Sequence, residues 1–174
     1  MSICEEITIN NICSSFTLNE KLCRKTIKDS FPFIRYPTNF SGGIIKYPDG
    51  CLLVFDSGKI VVTGDRNVTT AFTLIDRFCN IYPCDVYRTD FKIVNIVAHS
   101  RLVDNFDYVK LKSFPFYSYE PELFPGIHVK LDKTKVIFII FRTGRITVTG
   151  IRDTNLIVRY FKEFERVADS IKTI

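Results

Sequence analysis

The chain has 174 residues, enough to bury a core without disulfide staples, and its 46% hydrophobic and 25% charged residues with only 8 Gly and 7 Pro exclude a low-complexity chain. No apolar run approaches the roughly 20 residues of a membrane-spanning helix, and Glu5 and Glu6 stand where a signal peptide would be basic, so neither membrane insertion nor secretion is expected. The net charge is +5, and because residues 1–87 hold nine basic and nine acidic side chains, the whole excess lies in 88–174, which permits a nucleic-acid partner without requiring one.

Thr17-x-x-Glu20 matches a capping box, and Leu22, Cys23, Thr26 and Ile27 behind it predict a first helix of about ten residues that stops before Pro32. Strand-like runs follow at 42–47 and 51–55. A third, Lys59–Thr63, comes after the tight Asp56-Ser57-Gly58 turn, a hairpin signature. Asn67 is placed to cap a second helix, in which Ala71, Leu74, Ile75 and Phe78 recur at i, i+3, i+4 and i+7, with Pro83 ending it.

The chain then repeats itself. Phe55–Gly64, FDSGKIVVTG, matches Phe141–Gly150, FRTGRITVTG, at an offset of 86 residues. Ile9-Asn10-Asn11-Ile12 matches Ile93-Val94-Asn95-Ile96, and Asn39-Phe40 matches Leu123-Phe124, both at an offset of 84. A length difference at the turn-like Tyr47-Pro48-Asp49-Gly50 reconciles the two. The reading is a tandem duplication, 1–87 and 88–174, stacked as one pseudo-symmetric body because a lone repeat seldom buries its own hydrophobic face. The second copy is expected to follow the first element by element. Its last helix is the clearest, with Ile157, Tyr160, Phe161, Phe164, Val167, Ala168 and Ile171 on one side.

Cys4, Cys13, Cys23, Cys51, Cys79 and Cys84 show no C-x-x-C spacing and read as reduced, intracellular thiols packed as small hydrophobes. His99 and His128 lie far from any cysteine pair, so no metal is expected, and no cofactor or catalytic motif is present.

The hairpin strands are apolar on both faces. Leu53, Phe55, Val61 and Thr63 would share one face, with Leu52, Val54, Ile60 and Val62 on the other. In the second copy Ile137, Ile139, Phe141, Thr147 and Thr149 oppose Phe138, Ile140, Ile146 and Val148. Four amphipathic helices cover one face only, so either a second sheet covers the other, as in a sandwich, or that face is a binding surface. Helices interleaved with strands weigh against the sandwich. A reader of the DNA minor groove needs apolar surface, a few amides or hydroxyls, and basic groups at the rim. The open face offers Phe40, Phe55, Phe124 and Phe141 as wedges, Asn11 and Asn95 as donors, and Thr63 and Thr149 as hydroxyls. Lys46, Lys59, Lys130, Lys135 and Arg145, with Ser57 and Thr143 of the two turns, are candidate phosphate contacts.

At these residues the sequence resembles the core domain of the TATA-box-binding protein family over nearly its whole length. The carriers are Ser118–Gly126, SYEPELFPG, the paired FxSGK and FxTGR strands with their VTG ends, and Asp90–Val97, DFKIVNIV. The resemblance implies an α+β saddle: a curved, ten-stranded antiparallel sheet with a concave DNA-binding underside and four helices on the convex top. It assigns Phe40 with Phe55 and Phe124 with Phe141 as the two intercalating pairs, Pro125 following its wedge. It places Asn11, Asn95, Thr63 and Thr149 at the centre of the minor-groove contact, among Cys13, Leu53, Val61, Val97, Ile137, Ile139 and Thr147. Cys13 and Thr147 stand where the family typically has Val, and His99 where it has a small residue.

The resemblance further implies a nonenzymatic, nuclear initiation factor that binds and bends TATA-like DNA and works with the RNA polymerase machinery. Were the source viral, the site of action would be a viral factory or the cytoplasm. Glu120 and Glu122 match the family's contacts for a factor IIB-like protein. The basic residues that receive factor IIA are missing from 67–81, where only Arg77 stands against Asp76. Two other readings compete: a TBP-related scaffold with altered DNA specificity, and an accessory domain of a DNA glycosylase. Four intact wedges oppose the first, and the lack of a helix-hairpin-helix segment opposes the second.

Overall fold

The computed structural model describes residues 4–102, 107–114 and 116–170. The elements follow in the order β1 (Thr8–Leu18), α1 (Arg24–Ser30), β2 (Gly43–Tyr47), β3 (Gly50–Val54), β4 (Lys59–Asp65), α2 (Val68–Ile81) and β5 (Arg88–Arg101). After a 3-10 helix at Tyr108–Ser113 come β6 (Phe116–Ser118), β7 (Ile127–Lys130), β8 (Ile137–Ile140), β9 (Arg145–Ile151), a 3-10 turn at Thr154–Leu156 and α3 (Ile157–Ser170). The chain packs as two compact units, Asn11–Val94 and Met1–Asn10 with Asn95–Ile174.

In the first unit the strands lie in the order β2-β3-β4-β1, all antiparallel. Alternation along them is regular: Phe16, Leu52, Val54, Ile60 and Val62 are buried, while Cys13, Ser15, Cys51, Leu53, Val61 and Thr63 stay partly exposed. The buried set faces α2, whose Asn67 side chain accepts from the Thr69 N–H and so satisfies one of the orphan donors at the helix start. Ala71, Leu74, Ile75 and Phe78 of α2 are buried as their spacing requires. Phe78 stacks on Phe31 at 4.8 Å, and Phe16 meets Phe72 edge-on at 5.2 Å. Phe16, Phe31 and Phe78 are buried, and each such ring contributes about 1.5–3 kcal/mol.

The second unit repeats the plan in the order β5-β9-β8-β7-β6. Phe138, Ile140, Ile146 and Val148 are buried, with Phe138 against Phe161 and Phe164 of α3 at 5.2 and 4.6 Å. Ile137, Ile139, Phe141, Thr147 and Thr149 stay partly exposed. In neither unit does a second sheet cover the open face among the described residues, which removes the sandwich.

Several expectations need correction. Nine strands, not ten, are present among the described residues. The capping box fails. Thr17 belongs to β1, paired with Lys59 and accepting at its carbonyl from the Thr89 hydroxyl, so the ladder takes the residues that local capping would have claimed. The first helix is seven residues long, with Cys23 at its N-cap and no side-chain cap. Its counterpart is only the 3-10 helix Tyr108–Ser113, capped by Asp107. The cysteines are not uniformly core: Cys4 is buried, whereas Cys23 and Cys84 are exposed. Ile171 lies outside the described residues, among which no helix is long and apolar enough to cross a membrane.

Candidate nucleic-acid interface

The geometry at Asn11 is the same in kind and distance as at Asn95. Asn11 Oδ1 accepts from the Gly64 N–H at 2.8 Å, while its Nδ2 lies 3.1 Å from Thr63 Oγ1. Asn95 Oδ1 accepts from the Gly150 N–H at 2.8 Å, while its Nδ2 lies 3.1 Å from Thr149 Oγ1. Each set sits where the strand register slips, between Ile12 and Ser14 and between Ile96 and Ala98. The VTG glycines make the slip possible, with φ of +100° at Gly64 and +87° at Gly150, a region that costs any other residue strain. The glycine N–H fixes which end of each amide is oxygen. One amide N–H is then spent on threonine, and the second remains for a ligand lying on the open face.

Both aromatic pairs assemble. Phe40 and Phe55 meet edge-on with centroids 5.5 Å apart, and Phe124 and Phe141 do so at 5.9 Å. Each pair stands over a glycine the sequence reading passed over. A Cβ on Gly42 would come within 2.9 Å of the Phe40 ring, and one on Gly126 within 2.5 Å of the Phe124 ring. Phe55 and Phe141 each close a turn: Phe55 N–H donates to the Lys59 carbonyl at 3.0 Å and Phe141 N–H to that of Arg145 at 2.9 Å. The Glu120 carbonyl accepts from the N–H groups of Leu123 and Phe124 at 3.0 and 2.9 Å, so the SYEPELFPG segment is what holds Phe124 in place. Phe124 is 40% exposed, a costly position for an aromatic ring.

Between aromatic pair and amide, Leu53 pairs with Val61 and Cys51 with Thr63; in the second unit Ile139 pairs with Thr147 and Ile137 with Thr149. Burial pushes the Cys51 thiol up, against the pull of the Lys46 charge, so it stays neutral on this apolar strip. Cys13 and Val97 are also partly exposed, and Pro125 is exposed beside Phe124. Lys46, Ser57, Lys59, Lys130, Lys135, Thr143 and Arg145 are all exposed. Lys46 and Lys130 continue the open-face alternation of β2 and β7, and Lys59 and Arg145 begin β4 and β9. Arg101 escaped the sequence reading because only strand register puts it opposite Arg145.

On the remaining surface Glu120 and Glu122 are exposed. In α2, Asp76 pairs with Arg88 at 3.0 Å, and Arg77 lies over the Tyr47 ring at 5.1 Å. No cluster of His, Cys, Asp and Glu suited to a metal occurs among the described residues.

The family model for transcription factor TFIID, or TATA-binding protein, matches residues 6–82 and 90–170. TATA-box-binding protein 2 of Entamoeba histolytica is 31% identical over 162 residues, covering 83% of this chain and 72% of that protein. The TATA-box-binding protein of Saccharomyces cerevisiae is 32% identical over 163 residues, covering 89% and 68%. The solved structure of Methanococcus jannaschii TBP superposes with a TM-score of 0.81 at 27% identity, covering 96% of this chain and all of that one.

Proposed function

The chain belongs to the TATA-binding protein family, and from that premise we propose that it binds TATA-like promoter DNA in the minor groove, bends it, and nucleates assembly of a transcription initiation complex. The family is one of DNA-binding transcription factors and not of enzymes. The observation that carries the reading is the open face: an apolar strip in each unit, uncovered, with a paired aromatic and an oriented asparagine amide in both.

Minor-groove edges of A·T pairs present only acceptors, whereas a G·C pair adds the guanine amino group, a donor that also obstructs close approach. The spare N–H of Asn11 and of Asn95 suits acceptors, and the Leu53–Val61 and Ile137–Ile139 surface suits a groove without amino groups. Inserting the Phe pairs between base steps costs about a few kcal/mol per step, offset by the extra surface contacted once the groove opens. Flexible TA steps deform at least cost. The lysines and Arg145 at the rim supply the salt-dependent, sequence-independent part of the affinity. In this reading repeats 1–87 and 88–174 are two halves of one domain acting on one duplex.

The exposed Glu120 and Glu122 support docking of a factor IIB-like protein through basic side chains, and the family supports a place in the general transcription machinery. The scarcity of free cations on α2 supports weak or absent docking of factor IIA. Nuclear localisation follows the same reading. Selection from random duplex DNA followed by a bending assay tests it: enrichment of A·T-rich, TA-containing sites and a bent product are expected, and equal affinity for a G·C-only duplex at physiological salt overturns it.

A further inference from the structure

One cross-strand row differs in chemistry between the two units. In the first unit Ile44, Leu53, Val61 and Ser15 stand opposite one another across β2, β3, β4 and β1. The equivalent row of the second unit is His128, Ile139, Thr147 and His99, across β7, β8, β9 and β5. Both histidines of the chain therefore fall at the two ends of a single row, where the first unit carries Ile44 and Ser15. His128 is occupied, stacked on Phe124 with centroids 5.2 Å apart and planes 17° from parallel. His99 is held differently, by a contact between its Nδ1 and the side-chain oxygen of Asn10.

An amide oxygen only accepts. In the tautomer that suits this contact the neutral imidazole carries its proton on Nδ1, which leaves Nε2 as an acceptor. Glu5 and Glu6, which line the cavity beside His99, are also acceptors only, while Arg101 and Arg145 on the same cavity supply the positive charge a phosphate backbone needs. An acceptor on a minor-groove surface has no use for A·T pairs, whose edges there are acceptors themselves. The guanine exocyclic amino group is the one donor that groove offers.

We propose that His99, positioned by Asn10, accepts a hydrogen bond from the exocyclic amino group of a guanine, so that the half-site under the second unit admits one G·C pair. The inference rests on the reading of the open face as a minor-groove surface. Against an aliphatic side chain such as Leu53, Val61 or Ile139 a guanine amino group is stripped of water with no partner, a loss that an imidazole acceptor avoids.

The test is equilibrium competition with the full chain on a TATA-like duplex in which each A·T pair is replaced in turn by G·C or by I·C, inosine being guanine without its exocyclic amino group. At one position in one half of the site, G·C is expected to bind as well as I·C or better. At the other positions I·C is expected to win by about tenfold, the usual effect of one unsuitable base pair. His99→Ala should bring the exceptional position into line with the rest, Asn10→Ala should move it the same way, and His99→Lys, which carries donors only, should penalise G·C there further. A wild-type chain that favours I·C over G·C at every position overturns the assignment, as does a G·C-tolerant position that survives His99→Ala. A wild-type chain with no preference for the A·T duplex over a G·C-only one overturns the minor-groove reading itself, a failure distinct from the first two.

Discussion

The two repeats agree where geometry is constrained and differ where it is not. The asparagine, threonine and glycine of each copy keep the same hydrogen bonds, 2.8 Å to the glycine N–H and 3.1 Å to the threonine hydroxyl, although the flanking sequences have drifted. Both aromatic pairs keep an edge-on meeting, at 64° and 61°. One cross-strand row ends in Ile44 and Ser15 in one copy and in His128 and His99 in the other, and the first helix of one copy is a 3-10 helix in the other. On the proposed function, positions that meet the duplex stay paired and positions that tune the contact are left to vary.

Removing the bulge glycines breaks the comparison most severely. Gly64→Ala should cost about 1–3 kcal/mol from backbone strain alone, because its new Cβ meets nothing nearer than 3.4 Å. Gly150→Ala should cost more, since there the Cβ would lie 2.1 Å from the Lys135 carbonyl oxygen. Urea denaturation of the two variants checks the order. Next come the wedges. Phe124→Ala and Phe141→Ala should each weaken binding by about 2 kcal/mol or more and straighten one end of the site, while Phe40→Ala and Phe55→Ala straighten the other. Energy-transfer pairs at the two duplex ends read this directly; a uniform loss of bend in all four variants would contradict the division into halves.

Asn11 and Asn95 sharpen the comparison by chemistry. Replacement by Ala removes the acceptor for the glycine N–H and should cost about 1 kcal/mol of stability in either copy. Replacement by Asp retains that acceptor but removes both N–H donors and adds a charge facing the DNA, so stability should hold while binding falls. Parallel denaturation and binding titrations separate the two effects. The smallest change is expected from Lys130→Ala, which should lower the salt slope of binding by about one with the bend intact.

The duplication, the two faces of each hairpin, the second helix with its Asn67 cap, and the aromatic pairs were legible in the sequence because each rests on local spacing. The start and cap of the first helix were not, because a ladder pairing Thr17 with Lys59 outweighs a capping box whose residues it consumes. The glycine floors under Phe40 and Phe124 were hidden as well, since nothing in the string says that a ring folds back over Gly42 or Gly126. Cross-strand neighbours were the largest omission. His99 and His128 are joined only through Thr147 and Ile139, by registers that spacing along one strand does not encode.

The central claim is that the open faces read the minor groove, and base-pair surgery tests it most directly. Replacing every A·T pair of a TATA-like duplex by I·C gives the major groove the donor and acceptor pattern of G·C and leaves the minor-groove pattern of acceptors as it was. The account predicts that the protein binds and bends the I·C duplex about as well as the A·T duplex, and both far better than the G·C duplex. Affinity for the I·C duplex that falls to the level of G·C would contradict it.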